Sequence, residues 1–172
     1  ERNSLVGSEM CIRDSLCTAL VASFFISLFE PTIEQVVALA ILMPIVASLG
    51  GNAGTQTLAV AVRALAAREL TPANALRTVG REVATGACNG VLIAALLALV
   101  AGAWFQNPLI SLTIALAVVL NVTIAGLAGI LVPLGLKRAG ADPAVSSSVF
   151  VTFVTDVVGF GVFLALGTLI LL

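Results

Sequence analysis

Asp156 is the one ionisable side chain set well inside a long apolar run, about 13 residues from the polar start of that run. An isolated carboxylate at such depth costs about 2.5–3.5 kcal/mol even on lenient insertion scales. The run from 143 to 172 offers it no Lys or Arg. A protonated acid bonded to neighbouring helices would satisfy it, as would a water-filled path for ions or protons. The flanking residues favour the path. Ser148, Thr152 and Asp156 recur every four residues, with Thr155 and Gly159 on an adjoining strip, so oxygen-bearing groups gather on one helix face while Val, Phe and Leu occupy the others.

A second apolar run repeats the pattern. In "SLGGNAGTQT" (48–57), Ser48, Asn52 and Gln56 share the i, i+4, i+8 spacing, and Gly50, Gly51 and Gly54 permit close backbone approach. Small-residue helix packing explains glycines of this kind, and a carboxamide on the same stretch adds the reading of a lined ion path. Asn121 and Thr123, with Gly126 and Gly129, read as interhelical hydrogen bonding and close packing rather than ligands, and Pro44 and Pro133 as kinks.

The elements that must hold these groups follow from composition. Hydrophobic residues make up 60% of the 172 and charged residues 10%; mean hydropathy is +1.17. That is an integral membrane protein, all-α, and its net charge of -1 gives no reason to expect nucleic acid. All eight basic and eight of the nine acidic residues lie outside the apolar runs, in the first 15 residues or in the connections. Five transmembrane helices are expected, over 16–29, 36–62, 83–105, 108–136 and 143–172. The first has only 14 residues, about 21 Å of a core roughly 30 Å thick, so its beginning is expected to be missing. Residues 1–15, "ERNSLVGSEMCIRDS", are polar and aperiodic and read as a tail foreign to the rest.

The connections alternate in charge. "EPTIEQ" holds two acids and no base, "WFQNP" is uncharged, and the two others carry Arg63, Arg68, Arg77, Arg81 and Lys137, Arg138. The positive-inside rule makes those basic connections cytoplasmic and the C-terminus external. The 63–82 connection is expected to extend the helices on both sides, with Thr71 and Pro72 at a helix start, and Trp104 suits an outer aromatic belt. Without histidine, and with a single acid at membrane depth, neither imidazole catalysis nor a carboxylate dyad is possible, so no enzyme is expected. Cys11, Cys17 and Cys88 have no metal-ligand spacing.

Two motifs, "PIVASLGGNAGTQTLAVAVRALA" (44–66) and "DPAVSSSVFVTFVTDVVGFGVFLALG" (142–167), together with Arg81-Glu82 opening the third helix, resemble the membrane domain of the MgtE magnesium channels, which are related to the solute carrier family 41 transporters. The resemblance covers about 16–172. It implies a homodimer with five helices per subunit and a pore on the two-fold axis, lined chiefly by the second and fifth helices, with Gly50, Gly51 and Gly54 letting two copies of the second helix approach that axis. It implies that Asp156 of each subunit holds hydrated Mg2+ in mid-pore with the backbone carbonyl of Thr152, while Asn52 lines the path. It also implies a regulatory cytoplasmic region with CBS domains in a full-length chain, a region this sequence lacks.

Residue chemistry fits that expectation. Mg2+ dehydrates reluctantly and is met by one or two carboxylates plus oxygens acting through water, the set that Asp156, Asn52, Gln56, Thr152 and Ser148 supply; Mn2+ or Co2+ could follow the same route. A cage of direct oxygens for Ca2+, or imidazole and thiolate for softer metals, is not available. The expected function is Mg2+ transport across the cell membrane. A proton- or sodium-coupled carrier for another cation or a small solute is the alternative.

Overall fold

Helical hydrogen bonding is the one economical way for so apolar a chain to satisfy its backbone in lipid. The structure, a computed structural model, describes residues 2–69, 74–140 and 142–172, with the backbone alone described at 2–11, 14, 75, 76 and 143–146. The helices are α1 (Arg2–Ser27), α2 (Glu30–Gln35), α3 (Val37–Ala66), α4 (Ala75–Phe105), α5 (Pro108–Arg138) and α6 (Pro143–Leu171). Among the described residues four helices, α3 to α6, are long and apolar enough to cross a membrane, and Ser15–Ser27 of α1 is a shorter apolar segment. The chain is thus an all-α, multi-pass membrane protein.

Two elements differ from the sequence expectation. The helical backbone of α1 begins at Arg2 and passes Leu16 without a break. "EPTIEQ" is a short helix rather than a loop: Pro31 occupies its first turn beside Glu30, and Thr32 is buried. The proline's missing N–H costs nothing there and the acid suits the helix start, which is the local reason six residues can coil. The expected start at Thr71 and Pro72 lies outside the described residues.

Helix ends are set by short-range chemistry. After α3, Arg68 takes the left-handed conformation at φ 58°, and the Arg68 and Glu69 amides donate to the carbonyls of Leu65 and Ala64 at 3.3 and 2.9 Å. That is the doubly bonded C-terminal turn in which glycine is usual. Between α4 and α5, Gln106 is left-handed at φ 52°, and Asn107 caps α5 by accepting from the Leu109 amide at 2.9 Å, with Pro108 next. Two antiparallel spans are thereby joined by a two-residue turn. Arg138 ends α5, and Gly140 adopts φ 78° just beyond it.

The core sits around α5. In its most apolar stretch 56% of residues are buried, against 11% in α4 and 28% in both α3 and α6. Leu39, Leu42 and Val46 of α3 meet Ile114, Ala117 and Val118 of α5 and Phe163 and Leu164 of α6. Small residues bring the backbones together: a Cβ at Gly90 of α4 would lie 3.2 Å from the Cα of Val119, and one at Gly129 of α5 would lie 2.8 Å from the carbonyl oxygen of Gly54. Such proximity leaves dispersion and polar contacts, not hydrophobic exclusion, to hold the bundle in lipid.

Candidate ion pathway

Asp156 lies on α6 and is half-buried. It lines a cleft of about 160 Å³ with Ser148, Val149 and Thr152 of the same helix and Ser15, Thr18 and Ala19 of α1. The four-residue repeat seen in the sequence therefore does place Ser148, Thr152 and Asp156 on one surface. The hydroxyls of α1 were not legible as partners, because Ser15 and Thr18 flank the polar start of a short apolar run and show no spacing tied to Asp156. Among the described residues Asp156 is the only acid lining that cleft. Among the described residues no three of His, Cys, Asp and Glu come close enough to hold a metal ion. A cation in the cleft would keep most of its water and meet the protein through hydroxyl, carbonyl and a single carboxylate per chain.

Thr155 turns the other way. It is buried, its hydroxyl donates to the Thr152 carbonyl at 3.0 Å, and its methyl faces α3, 3.2 Å from where a Cβ of Gly54 would stand. The Thr152 carbonyl thus accepts the Thr155 hydroxyl in addition to its place in the helical ladder, which holds it in orientation.

On α3 the polar residues divide. Ser48, Asn52 and Thr55 are exposed on the side away from α5, and the Thr55 hydroxyl is turned back onto the carbonyls of Gly51 and Asn52 at 2.8 and 3.1 Å. Gln56 lines a different cleft, of about 80 Å³, with Thr57, Glu82, Thr85 and Asn89 among its walls. Within one chain, then, Gln56 and Asp156 border separate clefts, although their helices touch. Thr85 and Asn89 do not figure among the polar residues legible in the sequence, and Glu82 figures only in the Arg81-Glu82 pair; the i, i+3, i+7 spacing of the three on α4 is the signal that links them.

The glycines also divide. Gly50 and Gly54 are buried and Gly51 is not. A Cβ at Gly50 would stand 2.5 Å from Nδ2 of Asn121, and one at Gly54 would stand 2.9 Å from Val151 Cγ1. A Cβ at Gly51 would meet nothing within 4 Å. The sequence reading set all three beside a second copy of the helix, whereas Gly50 and Gly54 are covered by α5 and α6 of their own chain. Period-3.6 geometry explains the difference: Gly50 and Gly54 share a face one turn apart, and Gly51 is rotated by about 100° from Gly50. Gly159 of α6 is buried against the same Asn121 side chain, its added Cβ falling 2.9 Å from Nδ2.

Comparison with known proteins agrees with this architecture. The family model described as "MgtE: Divalent cation transporter" matches residues 43–166. The chain is 33% identical over 153 residues to "Magnesium transporter MgtE" of Bacillus subtilis, covering 89% of this chain and 34% of that protein. It is 37% identical over 131 residues to the protein of the same name from Enterococcus faecalis, covering 76% and 29%. With that of Thermus thermophilus it shares 34% over 158 residues, covering 91% and 34%. The chain spans about a third of the length of these relatives. A match running from the second turn of α3 nearly to the end of α6 takes in both polar helices, and on that ground the chain belongs to the MgtE family of divalent cation transporters.

Proposed function

We propose that this chain carries Mg2+ across the cell membrane as the pore-forming part of a homodimer with five membrane helices per subunit, α1 with α3 to α6. The observation that carries the reading is the exposure of Ser48, Asn52 and Thr55 on α3 and of Ser148 and Thr152 on α6, beside the half-buried Asp156. Polar groups at membrane depth are stable against water or protein, not against hydrocarbon. A second copy placed over these faces encloses them around a two-fold path and brings two Asp156 carboxylates toward one cation. Hydrated Mg2+ suits that set, since one carboxylate and the Thr152 carbonyl from each chain bond its retained waters, and Mn2+ and Co2+ are the expected competitors. The names of the relatives support magnesium as cargo. Control by a cytoplasmic CBS region, which the family resemblance implies for a full-length chain, belongs to the same proposal.

Purified chain in liposomes loaded with a Mg2+ indicator tests the reading. Uptake down a Mg2+ gradient, unaffected by sodium or proton gradients, is the expected result. Uptake that requires a sodium or proton gradient would establish the coupled carrier instead. A chain that admits no Mg2+ under any gradient would end the proposal.

A further inference from the structure

We propose that Asn121 of α5, buried at the junction of α3, α5 and α6, is a positioning residue that sets the register of α3 against α6 and thereby the placement of Asn52 and Asp156; the inference rests on the Mg2+ reading above. Its side chain is 1% exposed, and Nδ2 donates to the Val46 carbonyl of α3 at 2.7 Å. Its amide fills a notch made by two glycines on two different helices. A Cβ at Gly50 would fall 2.5 and 2.8 Å from Nδ2 and Oδ1, and a Cβ at Gly159 would fall 2.9 and 3.0 Å from the same atoms. One amide is therefore in contact with the bare backbone of both helices at once. Gly50 is two residues from Asn52, and Gly159 is three from Asp156.

Stability alone does not explain an amide at this place. Oδ1 is buried with no hydrogen-bond partner among the described residues, and an unpaired buried acceptor disfavours the folded state. Leucine, of similar size, would pack against two glycines without leaving a polar atom unmatched. Buried polar groups that lower stability yet hold one register among several are best documented in coiled coils, where a single asparagine specifies the alignment of otherwise slippery apolar helices. The three-helix junction here has the same problem. Apolar residues of α3, α5 and α6 would pack nearly as well after a small slide, but the Asn121–Val46 bond and the double glycine notch fit one alignment.

The test compares Mg2+ uptake into liposomes by parent, Asn121→Leu and Gly159→Ala chains, reading half-saturating Mg2+, block by Ca2+ and the melting temperature in detergent. The expected result for Asn121→Leu is a melting temperature equal to the parent's or higher, with half-saturation raised by about threefold or more and Ca2+ discrimination loosened, the scale on which remote packing changes alter site function. Gly159→Ala keeps the amide and displaces it, so it should shift half-saturation in the same direction; it decides the matter if the leucine variant does not reach the membrane. Variants that melt lower but take up Mg2+ with the parent's half-saturation and selectivity would reduce Asn121 to a packing residue and overturn the inference. A parent chain that takes up no Mg2+ would refute the transport reading instead, so the two failures are distinct.

Discussion

The hydroxyls of Thr32 and Thr168 meet at 2.9 Å across 136 positions of sequence. Thr168 spends its single proton on the Leu164 carbonyl, also at 2.9 Å, so Thr32 is the donor of the pair. This bond ties the short α2 to the end of α6, in a place where Thr32 is buried. Thr32→Val is expected to cost about 1 kcal/mol by loss of one buried hydrogen bond. Thr168→Val should cost more, about 1–3 kcal/mol, because it leaves the Thr32 hydroxyl buried and unpaired. Unfolding of both variants and the double variant in mixed micelles would show it, the double being less destabilised than the sum of the singles.

Substitution of the glycines on α3 should separate contacts within a chain from those between chains. Gly50→Ala places its new methyl 2.5 Å from an amide already bonded to Val46, and overpacking of that kind costs about 1–3 kcal/mol. Gly51→Ala meets no neighbour and is expected to leave the melting temperature of the chain unchanged. Gly51→Leu then becomes a probe of the proposed dimer: weaker association on size-exclusion chromatography with light scattering is the expected outcome, and an unaltered dimer would move the interface elsewhere.

Charge at Asp156 is expected to govern transport. Asp156→Asn preserves size and one acceptor oxygen but removes two charges from the proposed two-fold pore, so Mg2+ uptake at matched membrane levels should drop by on the order of tenfold or more, a little over 1 kcal/mol in the energetics of passage. Asp156→Glu retains the charge one methylene out of place and should be milder. Parental uptake by the asparagine variant would make Asp156 a structural acid.

Acidity should act through the same oxygens. Protons and Mg2+ compete for the carboxylate, so half-saturating Mg2+ should rise as pH falls and recede as it rises. Among the described residues no second acid lines the Asp156 cleft, and whatever uptake remains in Asp156→Asn should lack this dependence. Flux measured at several external and internal pH values checks the sign, and an equal slope in parent and variant would refer the effect to another group.

The basic connections should face the cytoplasm. In a cysteine-free background, cysteines placed at Arg77 and Ala139, both exposed, are expected to resist an impermeant maleimide in intact cells and to react once the membrane is opened. A cysteine at Gln106 should react from outside. The reverse pattern would invert the topology.

Much of this architecture is legible in sequence because hydropathy and helical period answer to the same physics as the bilayer. The four long spans, the capped turn at Asn107 and the shared face of Ser148, Thr152 and Asp156 all follow from residues within a few turns of one another. What is not legible is rotation about each helix axis. α5 is largely apolar all round and glycine carries almost no hydropathy signal, so hydropathy does not tell which faces meet, and Gly50 and Gly51, adjacent in sequence, end in different surroundings. Gln56 looked like a companion of Asp156 and borders a different cleft, since spacing along one helix carries no information about its neighbours. Asn121 could be read as an interhelical hydrogen bond, but its partners lie 75 positions away at Val46 and at two glycines whose small size signals only that something comes close.

The unequal burial of the spans has an evolutionary consequence. α5 is enclosed over more than half of its apolar stretch, with a stripe of Leu112, Leu116 and Leu120 left open, while α4 leaves most of its stretch open, so the two helices offer mutation different latitude. On α4, exchanges among leucine, isoleucine and valine alter an outer surface that hydrocarbon accommodates at little cost. On α5, Ala117 and Ala125 are fully buried and Gly129 lies against the backbone of Gly54, so an added methyl there must displace a neighbouring helix. Lineages of this protein should therefore drift fastest along α4 and slowest along α5, so that a span bearing none of the proposed ion ligands is the one selection guards most closely.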